Sequence, residues 1–139
     1  MKDILAAARA LAHSLSPFAA LFVRLGVGLV FLHHGVAKYH MGIAGVAGFL
    51  GHLGIPLPQV AAVVVIGVET IGAGCLVIGL LTRFWAACMA VEMIVAIVVA
   101  VLPTHHTPEL EGLLLAGALA LIGIGAGPIS LDRLFGKKA

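Results

Sequence analysis

Three charged residues lie inside long apolar stretches of this chain: Arg24, Glu69 and Glu92. A charged side chain at the centre of a bilayer costs about 2.5–3.5 kcal/mol on insertion scales, so such residues persist where they are paired or functional. At the usual helical rise, we expect the three to lie roughly 10, 18 and 13 Å from the same membrane face. Because the three residues lie on three different predicted helices at overlapping depths, we expect one cluster in which Arg24 contacts both glutamates.

The predicted cluster has one more carboxylate than it has cations. Arg24 keeps its proton and needs at least one carboxylate as its partner. Burial and like charge then favour the protonated form of the second glutamate, which makes Glu69 or Glu92 a candidate proton carrier. Arg24, Glu69 and Glu92 are therefore the candidate catalytic residues. The alternative is a static ion pair with a neutral glutamic acid hydrogen-bonded beside it.

A second group of polar residues flanks the apolar stretches. A quinone head group needs hydrogen bonds and protons at its carbonyl oxygens, and imidazole gives or takes a proton near neutral pH. The candidate quinone ligands are His33, His34, Lys38, His105, His106, Glu109 and Glu111. Two alternatives remain open: a metal or haem site, and simple polar caps where helices meet water. Because the chain has no pair of ligands at metal-binding spacing on one helix, we expect no metal.

Composition indicates what surrounds these residues. The chain has 139 residues, of which 62% are hydrophobic and 10% charged, and its mean hydropathy is +1.20. A soluble domain of this size needs more polar cover, so the solvent is predicted to be the lipid bilayer. We expect one domain over residues 1–139. A net charge of +2 without a basic stripe gives no indication of nucleic acid binding.

The apolar stretches predict an all-α integral membrane four-helix bundle. Its transmembrane helices are expected at about residues 17–36, 60–81, 84–102 and 110–126, the last somewhat short for a span. Residues 1–16 have the pattern of an amphipathic helix lying in the membrane interface, and not that of a cleavable signal peptide. Cys75 and Cys88 lie within apolar stretches and are expected to serve packing.

The connection between the first two spans is rich in glycine. Glycine recurs every third residue from Gly42 to Gly54, with apolar residues between, and the segment closes on Ile55-Pro56-Leu57-Pro58. This pattern predicts a short interfacial or partly re-entrant helix.

Lysine and arginine predict the orientation. They occur in the N-terminal segment, in the turn between the second and third spans, and in the C-terminal tail: Lys2, Arg9, Arg83, Arg133, Lys137 and Lys138. Under the positive-inside rule both termini are cytoplasmic.

An ordered set of short motifs is similar to the DoxX family of small bacterial membrane proteins. The set comprises Arg24-Leu25-Gly26-Val27-Gly28, Phe31-Leu32-His33-His34-Gly35 with Lys38, the stretch Phe49 to Pro58, Glu69 with Gly72, Gly79-Leu80-Leu81-Thr82-Arg83, Met93 with Ala96, Gly125-Ala126-Gly127 and Ser130-Leu131-Asp132. The resemblance implies a four-helix protein of the bacterial inner membrane that is associated with redox chemistry. It would be similar to the membrane subunit of a thiosulfate:quinone oxidoreductase or to components of oxidative-stress complexes. Two features depart from the family pattern: Glu92 stands where a neutral residue is expected, and His105-His106 comes later than the expected single histidine.

These observations lead to a functional hypothesis with two alternatives. The leading one is a redox-associated subunit that binds a quinone or similar apolar ligand and couples proton transfer to electron exchange with a partner oxidoreductase. The chain has no recognisable flavin, haem or iron–sulfur motif, so electrons must come from that partner. The alternatives are a non-catalytic anchor or assembly partner, and a small transporter or proton path. A homo-oligomer is compatible with all three.

Overall fold

The computed structural model describes residues 2–136, without the side chains of Lys2, Asp3, Ala8, Ala12, His13 and Ser16. All its regular elements are helical. In chain order they are α1 (Lys2–His52), α2 (Pro58–Gly67), a π-helical turn (Val68–Gly72), α3 (Ala73–Ile78), α4 (Thr82–Ala96), a second π-helical turn (Ile97–Val101), a 3₁₀ turn (Leu102–Thr104), α5 (Glu109–Ile124) and α6 (Leu131–Leu134).

Three stretches of helix within residues 2–136 are long and apolar enough to cross a membrane. They are Pro17–His52, Pro58–Ile78 and Thr82–Thr104, here called the first, second and third spans. The second and third agree closely with the predicted boundaries. Between them, Gly79 and Leu81 adopt left-handed backbone conformations, so the chain reverses within a few residues.

The first span begins at Pro17, as predicted, although the helix that contains it, α1, already starts at Lys2. It differs from its prediction at the other end. It does not end at Val36, because helix continues through the glycine-rich segment to His52. The break that does occur is at Gly42, whose φ of 77° and ψ of 160° are accessible to glycine and strained for other residues.

The glycine-rich segment after Gly42 is helical, as predicted, and it packs against the start of the second span. Val46 and Ala47 form a small buried cluster with Ala62 of α2, and Leu50 packs against it. The segment is therefore a continuation of the first span beyond a kink.

The N-terminal part of α1 is helical and continuous with the first span, and its predicted role as an amphipathic helix in the membrane interface stays a prediction. Ile4, Leu11 and Leu15 are exposed. The side chains of Lys2 and His13, which the prediction places on the polar face, lie outside the described residues, as do Lys137 and Lys138 of the tail.

The main core forms where all three spans meet α5. Phe31 of α1, Leu76 of α3, Met89 of α4 and Leu121 of α5 are fully buried there. α5 is antiparallel to α4, since Arg83 at the start of α4 donates a hydrogen bond to the carbonyl of Gly123 near the end of α5. The core positions the polar side chains described next.

Candidate functional site

Lys38, Glu69 and Glu92 form a polar cluster between the three spans, here called the lysine–glutamate cluster. The Lys38 ammonium lies 2.6 Å from each carboxylate oxygen of Glu69. Glu92 makes a side-chain hydrogen bond with Glu69. The Glu69 side chain is only 3% exposed. Three spans thus each contribute one ionisable group to a single, partly buried cluster.

Gly35 brings the first and second spans close enough for this contact. A Cβ atom at Gly35 would lie 2.8 Å from the Glu69 Cβ and would also overlap the Glu69 backbone. Lys38 follows one helical turn after Gly35, so its side chain extends along the same face. The missing side chain at Gly35 therefore allows the ion pair to form.

A π-helical turn in the second span contains Glu69, the anionic partner in the ion pair. Glu69 lies in the π-helical turn Val68–Gly72, where one extra residue is accommodated in the helix. Such turns interrupt the regular rotation of side chains and occur frequently at functional sites. Here the turn presents Glu69 to both neighbouring spans.

Charge balance in the lysine–glutamate cluster requires a proton. Two carboxyl groups can share a hydrogen bond only when one of them is protonated. One ammonium, one carboxylate and one carboxylic acid then give a net charge of zero, which is the form that a low-dielectric environment favours. A proton shared between Glu69 and Glu92 would make the cluster neutral.

A cavity of about 700 Å³ adjoins the lysine–glutamate cluster. The second and third spans form most of its walls, with apolar side chains such as Val64, Val65, Val91 and Val95. The end of α1 and the start of α5 close it at one side, and Lys38, Glu69 and Glu92 supply most of its polar lining. The volume and the few polar groups are typical of a small-molecule site.

One atom of the site has an unused hydrogen-bonding capacity. Glu92 Oε2 is buried and has no hydrogen-bond partner among the described residues. Buried polar atoms in proteins are nearly always hydrogen-bonded, so an orphan beside a cavity indicates where a ligand or water can bind.

Only three of the seven predicted quinone ligands line the cavity. His34, Lys38 and Glu111 line it. His33, His105, His106 and Glu109 are exposed and are not part of its lining. Within the described part of the chain, no group of three or more His, Cys, Asp or Glu side chains is arranged to hold a metal ion.

Arg24 is not the cation of this cluster, so its predicted grouping with the two glutamates is wrong. Its guanidinium, in a side chain only 1% exposed, donates hydrogen bonds to the carbonyls of Ala126 and Val77, at 2.6 and 3.3 Å. Val77 lies about 12 Å along the second span from Glu69. The prediction failed because Arg24 lies about 21 Å before Lys38 on α1, and only the three-dimensional packing decides which cation meets the carboxylates.

A second polar assembly surrounds Arg24 at the turn between the second and third spans. Asp132 accepts hydrogen bonds from the backbone N–H groups of Leu81 and Thr82, at 2.7 and 3.0 Å, and so caps the start of α4. Its own N–H donates to the carbonyl of Gly79. The segment after α5 is thereby fixed to the turn.

The sequence contained a pattern that could have predicted Lys38 as a site residue. The buried residues of α1 recur at intervals of three and four, and Lys38 comes next in the same series: Ala20, Arg24, Val27, Phe31 and Gly35. Ending the first span at Val36 removed Lys38 from the helix and hid this relation.

Comparison with known proteins supports the membrane assignment. The DoxX family model matches residues 19–102, more than half of the chain. The chain is 31% identical to the inner membrane protein YphA of Escherichia coli (strain K12), over 84% of this chain and 90% of that protein. It is 33% identical to a protein of Bacillus subtilis (strain 168) named "Putative oxidoreductase CatD", over 85% of this chain and 89% of that protein. No solved structure matches. The chain belongs to the DoxX family.

Proposed function

We propose that this protein is a redox-associated subunit of a bacterial inner membrane that binds a quinone, or a similar apolar carbonyl ligand, in the cavity beside the lysine–glutamate cluster. The observation that carries the proposal is a largely apolar cavity whose polar lining includes an ammonium and two hydrogen-bonded carboxyl groups. Apolar walls suit the ring, and the few polar groups suit its carbonyl oxygens.

The chemistry assigned to the residues is proton exchange. A bound quinone takes up two electrons and two protons on its way to the quinol. Lys38 donates hydrogen bonds and stays paired with Glu69, while the proton shared by Glu69 and Glu92 is available for transfer. The shared proton is the first of the two. Glu92 Oε2, which is buried and has no hydrogen-bond partner among the described residues, then receives a replacement proton from water by way of His34 or Glu111, and this proton is the second. His34 and Glu111 line the same cavity and extend its polar surface.

The electrons come from a partner oxidoreductase in this proposal. The sequence carries no recognisable motif for a redox cofactor, so the chain contributes binding and proton exchange. The name of the Bacillus subtilis relative, "Putative oxidoreductase CatD", supports an association with redox chemistry.

The proposal includes a topology. α5 has 16 residues and packs into the core beside α4, and we propose that it is a fourth, short span. With four spans the termini lie on one side of the membrane, and the distribution of lysine and arginine makes that side cytoplasmic. The lysine–glutamate cluster then lies about 14–15 Å from the ends of its helices at Ile78 and Thr82, near the middle of the bilayer.

The test is ligand retention. The purified chain is reconstituted in lipid nanodiscs that contain an isotopically labelled polyprenyl benzoquinone, and the label retained above that of empty nanodiscs is measured. We expect Lys38→Met and Glu92→Gln to reduce retention by about tenfold, the equivalent of one lost charged hydrogen bond. Glu109→Gln is the matched control, because Glu109 is an exposed carboxylate outside the cavity lining.

If nanodiscs that contain the folded wild type retain no more labelled quinone than empty nanodiscs, quinone binding is refuted and the anchor alternative is favoured. Equal loss in Lys38→Met, Glu92→Gln and Glu109→Gln would show that the site is elsewhere.

A further inference from the structure

The walls of the cavity are incomplete on one side. Val64 of the second span is 56% exposed and Val91 of the third span is 61% exposed, although both line the cavity. A wall residue with more than half its surface exposed cannot seal the space behind it. The cavity is therefore open between the second and third spans, towards the surrounding lipid.

The packing of the helices explains this opening. Near the turn the two spans are in close contact, since Trp85 of α4 covers Gly72 so tightly that a Cβ atom there would overlap the indole ring. Further from the turn, the second span packs against α1 and the third span packs against α5. The two spans thus diverge from a narrow end near Gly72 and Trp85, and the lysine–glutamate cluster lies towards that end.

The depth and charge of the cluster restrict what can occupy the opening. The cluster lies near the middle of the bilayer and has no net charge when one proton is shared. A phospholipid head group is charged and stays at the membrane interface, because moving a charge to the bilayer centre costs several kcal/mol. An occupant that reaches the cluster must have a neutral polar head and an apolar tail.

We infer that the gap between the second and third spans is a lateral portal, through which a long-tailed neutral lipid enters from the bilayer and leaves its tail between the two spans. This inference rests on the proposed function and names its ligand class: an isoprenoid quinone that is confined to the membrane. The polar head lies at the lysine–glutamate cluster, and the tail contacts the valine-rich walls at Val64, Val65, Val95 and Val99.

The test compares two ligands with the same head group, a polyprenyl benzoquinone and its tail-free analogue, in nanodiscs. Val64→Trp and Val91→Trp place a large ring across the gap on residues that already face outwards. We expect each to reduce the rate of uptake and the retention of the polyprenyl ligand by about tenfold, with a much smaller effect on the tail-free analogue. Val63→Trp and Ile94→Trp are matched controls, because these neighbours are similarly exposed and are not part of the cavity lining.

The outcomes separate this inference from the proposed function. Retention of both ligands with no effect of Val64→Trp or Val91→Trp would overturn the portal and leave quinone binding intact. Retention of neither ligand by the wild type would overturn both. Circular dichroism and gel filtration of each variant confirm that it is folded, and the milder Val64→Phe provides a second variant at the same place.

Discussion

At the scale of single residues, the protein contains two cations in its first span that have different environments. Arg24 donates its hydrogen bonds to backbone carbonyls, whereas Lys38 pairs with the Glu69 carboxylate. An arginine is permanently charged and has several donors in a fixed plane, which suits several carbonyls. The lysine ammonium is a compact charge, which leaves room for the Glu69 carboxylate to contact Glu92 as well. The two residues therefore have different partners, and only Lys38 belongs to the proposed proton chemistry.

The Lys38–Glu69 pair predicts a stability effect that depends on which partner is removed. Lys38→Met leaves two buried carboxyl groups without their cation, and we expect it to lower the free energy of unfolding by about 3 kcal/mol. The double variant Lys38→Met/Glu69→Met removes both charges and replaces them with apolar groups, so most of this loss should be recovered. Unfolding in detergent micelles, followed by circular dichroism, measures both. A double variant as unstable as Lys38→Met would contradict a direct pair.

At the scale of helices, a close approach between the first and second spans places Lys38 beside Glu69. This approach depends on Gly35, where any side chain would meet the backbone of Glu69. Glu69 itself lies within the π-helical turn Val68–Gly72. The site therefore depends on how the first and second spans pack together, and neither Lys38 nor Glu69 forms it alone.

Gly35→Ala tests this dependence. The new methyl group must displace α1 from the π-helical turn, and we expect a loss of about 2 kcal/mol in stability together with reduced quinone retention. Gly26→Ala is the control on the same helix, because a Cβ atom there meets nothing within 4 Å. It should be neutral or slightly stabilising, as alanine favours helix over glycine by about 1 kcal/mol. Equal stability of Gly35→Ala and Gly26→Ala would show that the two spans can separate without cost.

At the scale of the whole molecule, the two ends of the helix assembly differ. At one end, the segment after α5 is hydrogen-bonded to the turn between the second and third spans through Asp132, and Arg24 connects three elements. Towards the other end, the second and third spans diverge and the cavity opens. The proposed topology places the tightly connected end at the cytoplasmic face.

Reporter fusions test this topology. A green fluorescent protein fused after the C-terminus should be fluorescent, because it folds in the cytoplasm, and alkaline phosphatase at the same position should be inactive. Alkaline phosphatase fused after His106, in the connection before α5, should be active, because that connection is proposed to lie on the opposite side. The same activity at both positions would mean that α5 does not cross the membrane, and the four-helix proposal would fail.

The sequence by itself determined the environment and most of the elements. Long runs of apolar residues have no stable alternative to helices in lipid, so the second and third spans were predictable from composition and length. The motifs from Arg24 to Asp132 also predicted the family, which the match over residues 19–102 confirms. Glu69 and Glu92 were recognisable because a carboxylate is rare in an apolar span.

Only the tertiary structure decided which groups meet. Helix continues past the predicted end at Val36 as far as the kink at Gly42, and this continuation places Lys38 on the same face of α1 as Gly35. Because Arg24 and Lys38 lie four turns apart on that same face, helical periodicity alone could not choose between them as the partner of Glu69. The choice follows from the register of the first span against the second, which is set by the contact of Gly35 with Glu69.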